Sequence, residues 1–347
     1  MAEESRIYPF QFTGNGGEYF RIWIVNLALS VVTLGIYSAW AKVRRKRYFN
    51  NHTLLDGHNF DYLADPVAIL KGRVIAFGFF LAYALAQKFL PWVSLVLLAL
   101  FFLATPWIVA RSLQFNARNS SHRGLRFDFR GDLGEAFRIF VGWGLLMLLS
   151  LGMALPYLLF RKTAFIAGNH AYGATRFDFQ GRAASFYGIF MKASLIMLAP
   201  LVIIFAGGIT LASLDHEGPV GMAEMIGALG MGLLLLYAAL PVVMGYVKAR
   251  VARLTFLGTR IGALGFAGRH TARALIGLYV SNLVLIVLTL GLYIPWARVR
   301  SARFWLNNLA VVGPEQGLDG FVAAAGAGLA ATGAEMAEAF DVDLGIA

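Results

Sequence analysis

The tripeptide Phe10-Gln-Phe12 returns as Phe60-Asp-Tyr62, Phe127-Asp-Phe129 and Phe177-Asp-Phe179, and the members of each successive pair stand 50 residues apart. Recurrence at a fixed spacing marks a chain built from copies that must pack on one another to bury their apolar faces. Residues 10–62 laid over 127–179 without a gap match Gly14 with Gly131, Gly17 with Gly134, Glu18 with Glu135, Phe20 with Phe137, Arg21 with Arg138, Leu34 with Leu151, Gly35 with Gly152 and Arg44 with Arg161. A shift of 256 places Asn26 on Asn282, Thr33-Leu34-Gly35 on Thr289-Leu290-Gly291, Tyr37 on Tyr293, Trp40-Ala41 on Trp296-Ala297, and Arg44 and Arg47 on Arg300 and Arg303. The spacing predicts one domain over 1–313. It holds three short units, 10–59, 127–176 and 264–312, alternating with two long units, 60–126 and 177–263.

The copies are too apolar for a soluble protein. Hydrophobic residues make up 59% of the chain and charged residues 14%, outside soluble proportions. Each long unit holds two stretches of spanning length, about 72–88 and 91–110, then 186–213 and 223–247. Each short unit holds one stretch of roughly 20 residues, interrupted by a Leu-Gly step. One crossing per stretch divides the Lys and Arg 16 against 14 between the two faces, which leaves the positive-inside rule nearly silent. If each short unit instead enters and leaves by one face, 29 of the 30 Lys and Arg share a side and only Lys88 lies opposite. The charge count therefore favours re-entrant hairpins, sheltered by the four full spans because irregular backbone in hydrocarbon needs cover. The loop Ser213–Val220, acidic and without Lys or Arg, reads as periplasmic. No cleavable leader is legible, and the net charge of +11 follows from this orientation without a nucleic-acid partner.

The expected fold is an all-α polytopic membrane bundle of duplicated units. Short cytoplasmic β-hairpins are expected where the aromatic-polar-aromatic tripeptides alternate, with their aromatic faces toward the membrane side. After Pro314 the chain turns Ala- and Gly-rich. Within 314–347, Ala334–Asp343 carries four acids and no base; it reads either as a short amphipathic helix on the basic face or as disorder.

Candidate sites fall into two groups. Asn26, Ser30 and Thr33 share a helical face, and Asn282 with Thr289 repeats its ends; amides and hydroxyls in apolar segments hold helices together or line a solute path between repeats. Lys42, Arg44, Arg45, Lys46 and Arg47, with Arg298, Arg300 and Arg303, read as topology anchors or as contacts for anionic lipid headgroups. The six histidines are dispersed, and no phosphate loop, nucleophile elbow, zinc signature or dinucleotide fingerprint is legible. Hence no cofactor, metal or catalysis is expected. Two functions follow: passive or weakly coupled permeation of a small solute, or a structural, lipid-interacting membrane component.

The run Thr33-Leu-Gly-Ile-Tyr-Ser-Ala-Trp-Ala-Lys-Val-Arg44, the following Arg47-Tyr-Phe-Asn-Asn-His-Thr53 and Phe177-Asp-Phe-Gln-Gly181 resemble the YjgN family of bacterial inner-membrane proteins. The likeness runs over nearly the whole chain. It implies a polytopic inner-membrane location and brings no activity, since that family's function is unknown. The middle unit departs from the motif, with Ala154 and Tyr157 where the outer copies carry Tyr and Trp.

Overall fold

A computed structural model describes residues 5–213, 222–314 and 318–327. The first strand, β1 (Ser5–Phe12), leads into α1 (Gly16–Val32) and α2 (Ser38–Asn51). The hairpin β2 (Thr53–Leu55) and β3 (His58–Tyr62) precedes the long pair α3 (Pro66–Phe89) and α4 (Pro91–Arg118). A second hairpin, β4 (Ser120–His122) and β5 (Leu125–Phe129), is followed by α5 (Leu133–Phe137), a π-helical turn (Arg138–Trp143), α6 (Gly144–Leu149) and α7 (Leu155–Gly168). Then come β6 (His170–Tyr172), β7 (Thr175–Phe179), the long α8 (Ala183–Ser213) and α9 (Met222–Gly258), and the hairpin β8 (Thr259–Ile261) and β9 (Leu264–Gly268). The last short segment, α10 (Ala272–Leu288) and α11 (Ile294–Asn307), ends in β10 (Leu309–Pro314), and α12 spans Leu318–Ala327.

Among the described residues, ten strands close into one antiparallel barrel in the order β1-β10-β9-β8-β7-β6-β5-β4-β3-β2. This corrects the all-α expectation. An isolated hairpin of three- and five-residue strands is marginal in water and leaves two unpaired edges. Four hairpins side by side, joined by the pair of end strands β1 and β10, satisfy every edge, and β1 closes the circle by pairing β10 through Ser5–Pro9 and β2 through Phe10–Phe12. All four hairpins turn in two residues. Asp56-Gly57 (φ 51° and 76°) and Arg123-Gly124 (φ 50° and 78°) have positive φ at both positions, as a type I′ turn requires; Gly173 and Gly262 supply it at the first position of their turns.

Each helical segment is bracketed by two strands paired with each other: Phe12 faces Thr53, Tyr62 faces Ser120, Phe129 faces His170, Phe179 faces Thr259 and Gly268 faces Leu309. Every segment, short or long, therefore leaves the barrel and returns to it at adjacent strands. The boundaries drawn from the sequence at 59, 126, 176 and 263 each fall in a hairpin. Helices begin at a fixed distance from the strand: Asn15, Asp65 and Asp132, three residues past the second aromatic, accept from the amides of Gly17, Val67 and Glu135, satisfying donors that a helix start leaves free.

The chain forms two compact units. The first holds the barrel, α1 to α7, α12 and nearly all of α11; the second holds α8, α10 and most of α9. Four helices among the described residues are long and apolar enough to cross a membrane: Pro66–Phe89, Pro91–Arg118, Ala183–Ala206 and Gly230–Gly258.

The short segments share a turn. In the first, the amide of Gly35 donates to Ser30 O at 2.7 Å and that of Leu34 to Val31 O at 3.1 Å, the bond pair of a Schellman cap. The same pairs recur at Gly152 and Leu151, and at Gly291 and Leu290. In all three, leucine holds the left-handed position with φ near 50°. These leucines are 94%, 95% and 95% exposed. The periplasmic loop expected at 213–220 and the acidic stretch 334–343 lie outside the described residues, apart from Ser213 at the end of α8.

Candidate functional site: the barrel lumen

Strand residues two apart share a face, and the first aromatic of each tripeptide faces the lumen. Phe10 stacks on Phe60 at 6.1 Å between centroids, Phe60 on Phe127 at 6.3 Å, and Phe177 on Phe266 at 6.2 Å. Five phenylalanines, one from each of the odd-numbered strands β1, β3, β5, β7 and β9, thus ring the lumen. The second aromatics lie toward the helices: Phe12 stacks on Phe49, and Phe129 meets Phe165 edge-on. The tripeptides therefore line the inside of a barrel instead of lying as separate hairpins along a membrane.

Two chambers flank the ring. The outer one, about 220 Å³, is bounded by the ring, by Leu55, His122, Tyr172, Ile261 and Val311 beside the hairpin turns, and by Leu318, Phe321 and Val322 of α12. The inner one, about 420 Å³, shares Phe127, Phe177 and Phe266 and reaches Thr163, Ile166 and Ala167 of α7 and Thr255 and Phe256 of α9. Ten strands leave room that eight would fill with side chains, and the five rings divide that room into two.

The helix α12 covers the outer chamber. Leu318 and Ala325 are 5% and 1% exposed, and Phe321 stacks on Tyr172 at 6.2 Å. Arg123, at the tip of its turn, ties the cover down. Its guanidinium donates to Asp319 of α12 and to Asp56 Oδ2 at 3.0 Å.

His122 is the buried polar group of the outer wall, 4% exposed and stacked on Phe60 at 4.3 Å. Its Nδ1 lies 3.2 Å from Asn59 O. A carbonyl only accepts, so Nδ1 carries the proton and Nε2 presents a lone pair; Nε2 is buried with no partner among the described residues. Burial pushes the imidazole down to about 4, with the nearby Arg123 and His58 in the same sense and the Asn59 bond and Asp56 opposing. Burial also raises the Tyr172 hydroxyl to about 12, and it donates to His122 O at 2.9 Å.

A pH prediction follows. A histidine whose folded pKa is depressed binds its proton more readily in the unfolded chain. Its favourable contribution is therefore complete above the unfolded value near 6.5 and is lost as pH falls toward 4. The melting temperature should drop by roughly 5 °C between pH 7 and pH 4.5, and His122→Phe should have a visibly flatter profile. Identical slopes for the two proteins would refute the assignment.

The residues proposed from sequence lie elsewhere. Asn26 is buried with Oδ1 unpartnered among the described residues, and Asn282 is 6% exposed. Ser30 donates to Asn26 O at 2.6 Å, Thr33 to Leu29 O at 2.7 Å and Thr289 to Leu285 O at 2.7 Å. The Thr33 and Thr289 hydroxyls also accept from the amides of Tyr37 and Tyr293, so both serve the turn inside their own segment. None of the five lines either chamber.

Among the basic residues, Lys46 donates to Asn116 Oδ1 at 2.5 Å and lies 4.7 Å over the Tyr62 ring. Arg47 donates to Tyr62 O, Arg298 to Tyr19 OH and Arg303 to Gly14 O. Arg44 is exposed, while Lys42, Arg45 and Arg300 are half-buried. No cluster of three His, Asp or Glu side chains suited to a metal occurs among the described residues.

Sequence reasoning missed Phe266, His122, Arg123 and α12. Phe266 escaped because its tripeptide is Phe266-Ala267-Gly268. The turn register finds it: Phe60, Phe127, Phe177 and Phe266 each stand four residues after the first turn residue, Asp56, Arg123, Gly173 and Gly262.

Residues 7–339 match the family model described as bacterial protein of unknown function (DUF898). The chain belongs to this family. Its relatives include the inner membrane protein YjgN of Salmonella typhimurium, 28% identical over 151 residues, which are 43% of this chain and 38% of that protein. The inner membrane protein YjgN of Escherichia coli K12 is 28% identical over 146 residues, 42% of this chain and 37% of that protein. The aligned region is thus well under half the length of these relatives. No solved structure matches the chain. With four helices fit to span a bilayer, the chain is an inner-membrane protein of this family.

Proposed function

We propose that the chain is a passive channel for a small polar solute, held closed at the barrel. The observation that carries this reading is the lumen: two chambers meet at one ring of five phenylalanines, and the outer chamber is covered by α12. A hydrophobic constriction blocks water and polar solutes by dewetting, with no need for a moving door. Under this reading the basic segment ends and the barrel face the cytoplasm, and the three short segments are re-entrant. Their bracketing by paired strands supports this, as do their exposed leucine tips. No chemical step is assigned.

The test is glycerol entry into proteoliposomes, followed by stopped-flow light scattering. Wild type should be nearly impermeable. Phe127→Ser with Phe177→Ser, which wets the ring, should raise the rate tenfold or more in the full chain. If that double variant keeps its circular dichroism and thermal transition yet stays at the rate of empty liposomes, the channel reading fails.

A second reading, a lipid-interacting structural component, draws on Arg44, Arg47, Arg298 and Arg303, which stay exposed although three of them also bond within the protein. Exposed cations at a membrane surface each gain about 1 kcal/mol from anionic lipid. It would require the melting temperature to rise with phosphatidylglycerol content.

A further inference from the structure

α2 carries a line of cations that the described residues leave without counter-charge. Ser38, Lys42 and Lys46 recur every four residues and so share one face of the helix. Beside that face the buried Ala39 and Val43 pack with Ile69 and Leu70 of α3 and Phe115 of α4. Arg73 of α3 reaches across to donate to Ser38 Oγ, and Lys46 donates to Asn116 Oδ1 of α4 at 2.5 Å. Lys42, Arg45, Lys46 and Arg73 are all half-buried. They stand close enough to repel one another: the charges of Arg73 and Arg45 act on Lys42, and those of Lys42 and Arg45 act on Lys46. None of these cations forms an ion pair with a described carboxylate, whereas Arg118, Arg123, Arg130 and Arg161 each do. The side chains of Lys42 and Arg45 make no hydrogen bond among the described residues.

The other copies of the unit do without this cluster. The helices α2, α7 and α11 begin at corresponding positions, Ser38, Leu155 and Ile294. Under the overlays that align the units, Lys42 falls on Leu159 and Arg298, Arg45 on Lys162 and Ser301, and Lys46 on Thr163 and Ala302, while Arg73 falls on Phe190 of α8. The same helix is thus built twice more with fewer charges. Like charges four residues apart destabilise a helix, and half-buried ones are poorly screened by salt. An anion offsets both costs.

We infer that the groove between α2 and α3 binds one phosphate group, held by Lys42, Arg45, Lys46 and Arg73. Lysine meets phosphate as a point charge and arginine offers it two parallel N–H donors, so the set supplies both the charge and the directed bonds that a tetrahedral oxyanion takes. A phosphate monoester, with nearly two charges and three acceptor oxygens, matches converging cations better than a carboxylate, which brings one charge and two oxygens. The site deepens the lipid-interacting reading, on which it rests for one source of the group, a lipid headgroup. Free phosphate is the other source.

The test is isothermal titration calorimetry on the full-length protein in uncharged detergent, with dioctanoyl phosphatidic acid, dioctanoyl phosphatidylcholine and inorganic phosphate as probes. Wild type should bind phosphatidic acid once per chain and phosphatidylcholine about tenfold more weakly or worse. Lys42→Gln with Arg45→Gln removes two side chains that make no bond within the protein, so the fold should survive while affinity for phosphatidic acid falls about tenfold or more. Lys71→Gln with Arg111→Gln takes the same charge from exposed positions on α3 and α4 and should change that affinity less than about twofold. Inorganic phosphate that binds as tightly as phosphatidic acid and competes with it would keep the site and assign it to the free anion. Equal affinities of the two double variants would overturn the assignment to these cations, and no saturable heat with phosphatidic acid or inorganic phosphate would overturn the site itself. Should the first variant fail to fold, the wild-type ranking of the three probes still decides. The lipid-interacting reading is judged by melting temperature against phosphatidylglycerol content, so either result can fail without the other.

Discussion

Leu318→Asp should free α12 from the barrel mouth and raise chymotryptic cleavage after Phe321 by about a hundredfold. Leu318, Phe321, Val322 and Ala325 recur at the spacing of one helical face, and together they meet the aromatic lumen. Fully burying a leucine is worth about 2 kcal/mol. Aspartate loses that and carries a carboxylate into an apolar wall. A deficit of at least about 3 kcal/mol shifts the docking equilibrium by roughly a hundredfold. While opening and closing outrun the protease, cleavage follows the open population. Ala324→Asp adds the same charge at an exposed position of the same helix and should change the rate less than twofold. Equal rates for the two variants would mean that α12 does not cover the chamber. A folded Leu318→Asp protein should still exclude glycerol, since its cover is gone while its ring remains.

What the sequence disclosed and what it concealed have physical causes. The helical segments were legible because their signal is local, apolar runs of roughly 20 residues; the caps at Asn15, Asp65 and Asp132 emerged only with the structure. The hairpins were legible as alternation, and Asp56-Gly57 is a strong turn dipeptide. Closure was not legible. Phe12 pairs with Thr53 across one helical segment, but Phe179 pairs with Thr259 across 79 intervening residues, and Pro9 with Ala310 across almost the whole chain. No local pattern encodes which edge meets which. The site was concealed for the same reason, because His122 acquires its role only when Asn59, Phe60 and α12 are brought around it by pairings and contacts remote in sequence. The hydroxyls of the apolar segments find local partners. Thr33 and Thr289 resemble path-lining residues, yet the Schellman turn leaves the Tyr37 and Tyr293 amides to be satisfied, and the nearest hydroxyl does so. The closed barrel also explains why the tripeptides recur at segment junctions: the junctions before α1, α3, α5 and α8 each place one aromatic in the ring and one toward the helices, while the junction before α10 keeps only the ring residue, Phe266.

The triple change Leu34→Asp, Leu151→Asp and Leu290→Asp should nearly abolish accumulation of the protein in the inner-membrane fraction. A leucine in the left-handed region costs about 1–2 kcal/mol. At a water-exposed turn, aspartate or glycine would be the better residue. All three short segments nevertheless carry leucine there, more than nine-tenths exposed. Under the re-entrant reading hydrocarbon supplies what water cannot: a solvent in which an exposed leucine is favoured. The 17 residues of α1 reach about 26 Å, deep into a core of about 30 Å. At the centre of a spanning helix aspartate costs about 3 kcal/mol and leucine gains a few tenths, so even at part of that depth-dependent cost the three changes together remove several kcal/mol, a large share of the stability of an ordinary domain. The matched control is the triple change to glycine, which relieves the backbone and removes the apolar tip without adding charge; it should accumulate within about twofold of wild type. If the aspartate protein instead accumulates as well as the glycine protein, the tips are in water. The short segments are then not re-entrant, and the shared cytoplasmic placement of the basic ends falls with them.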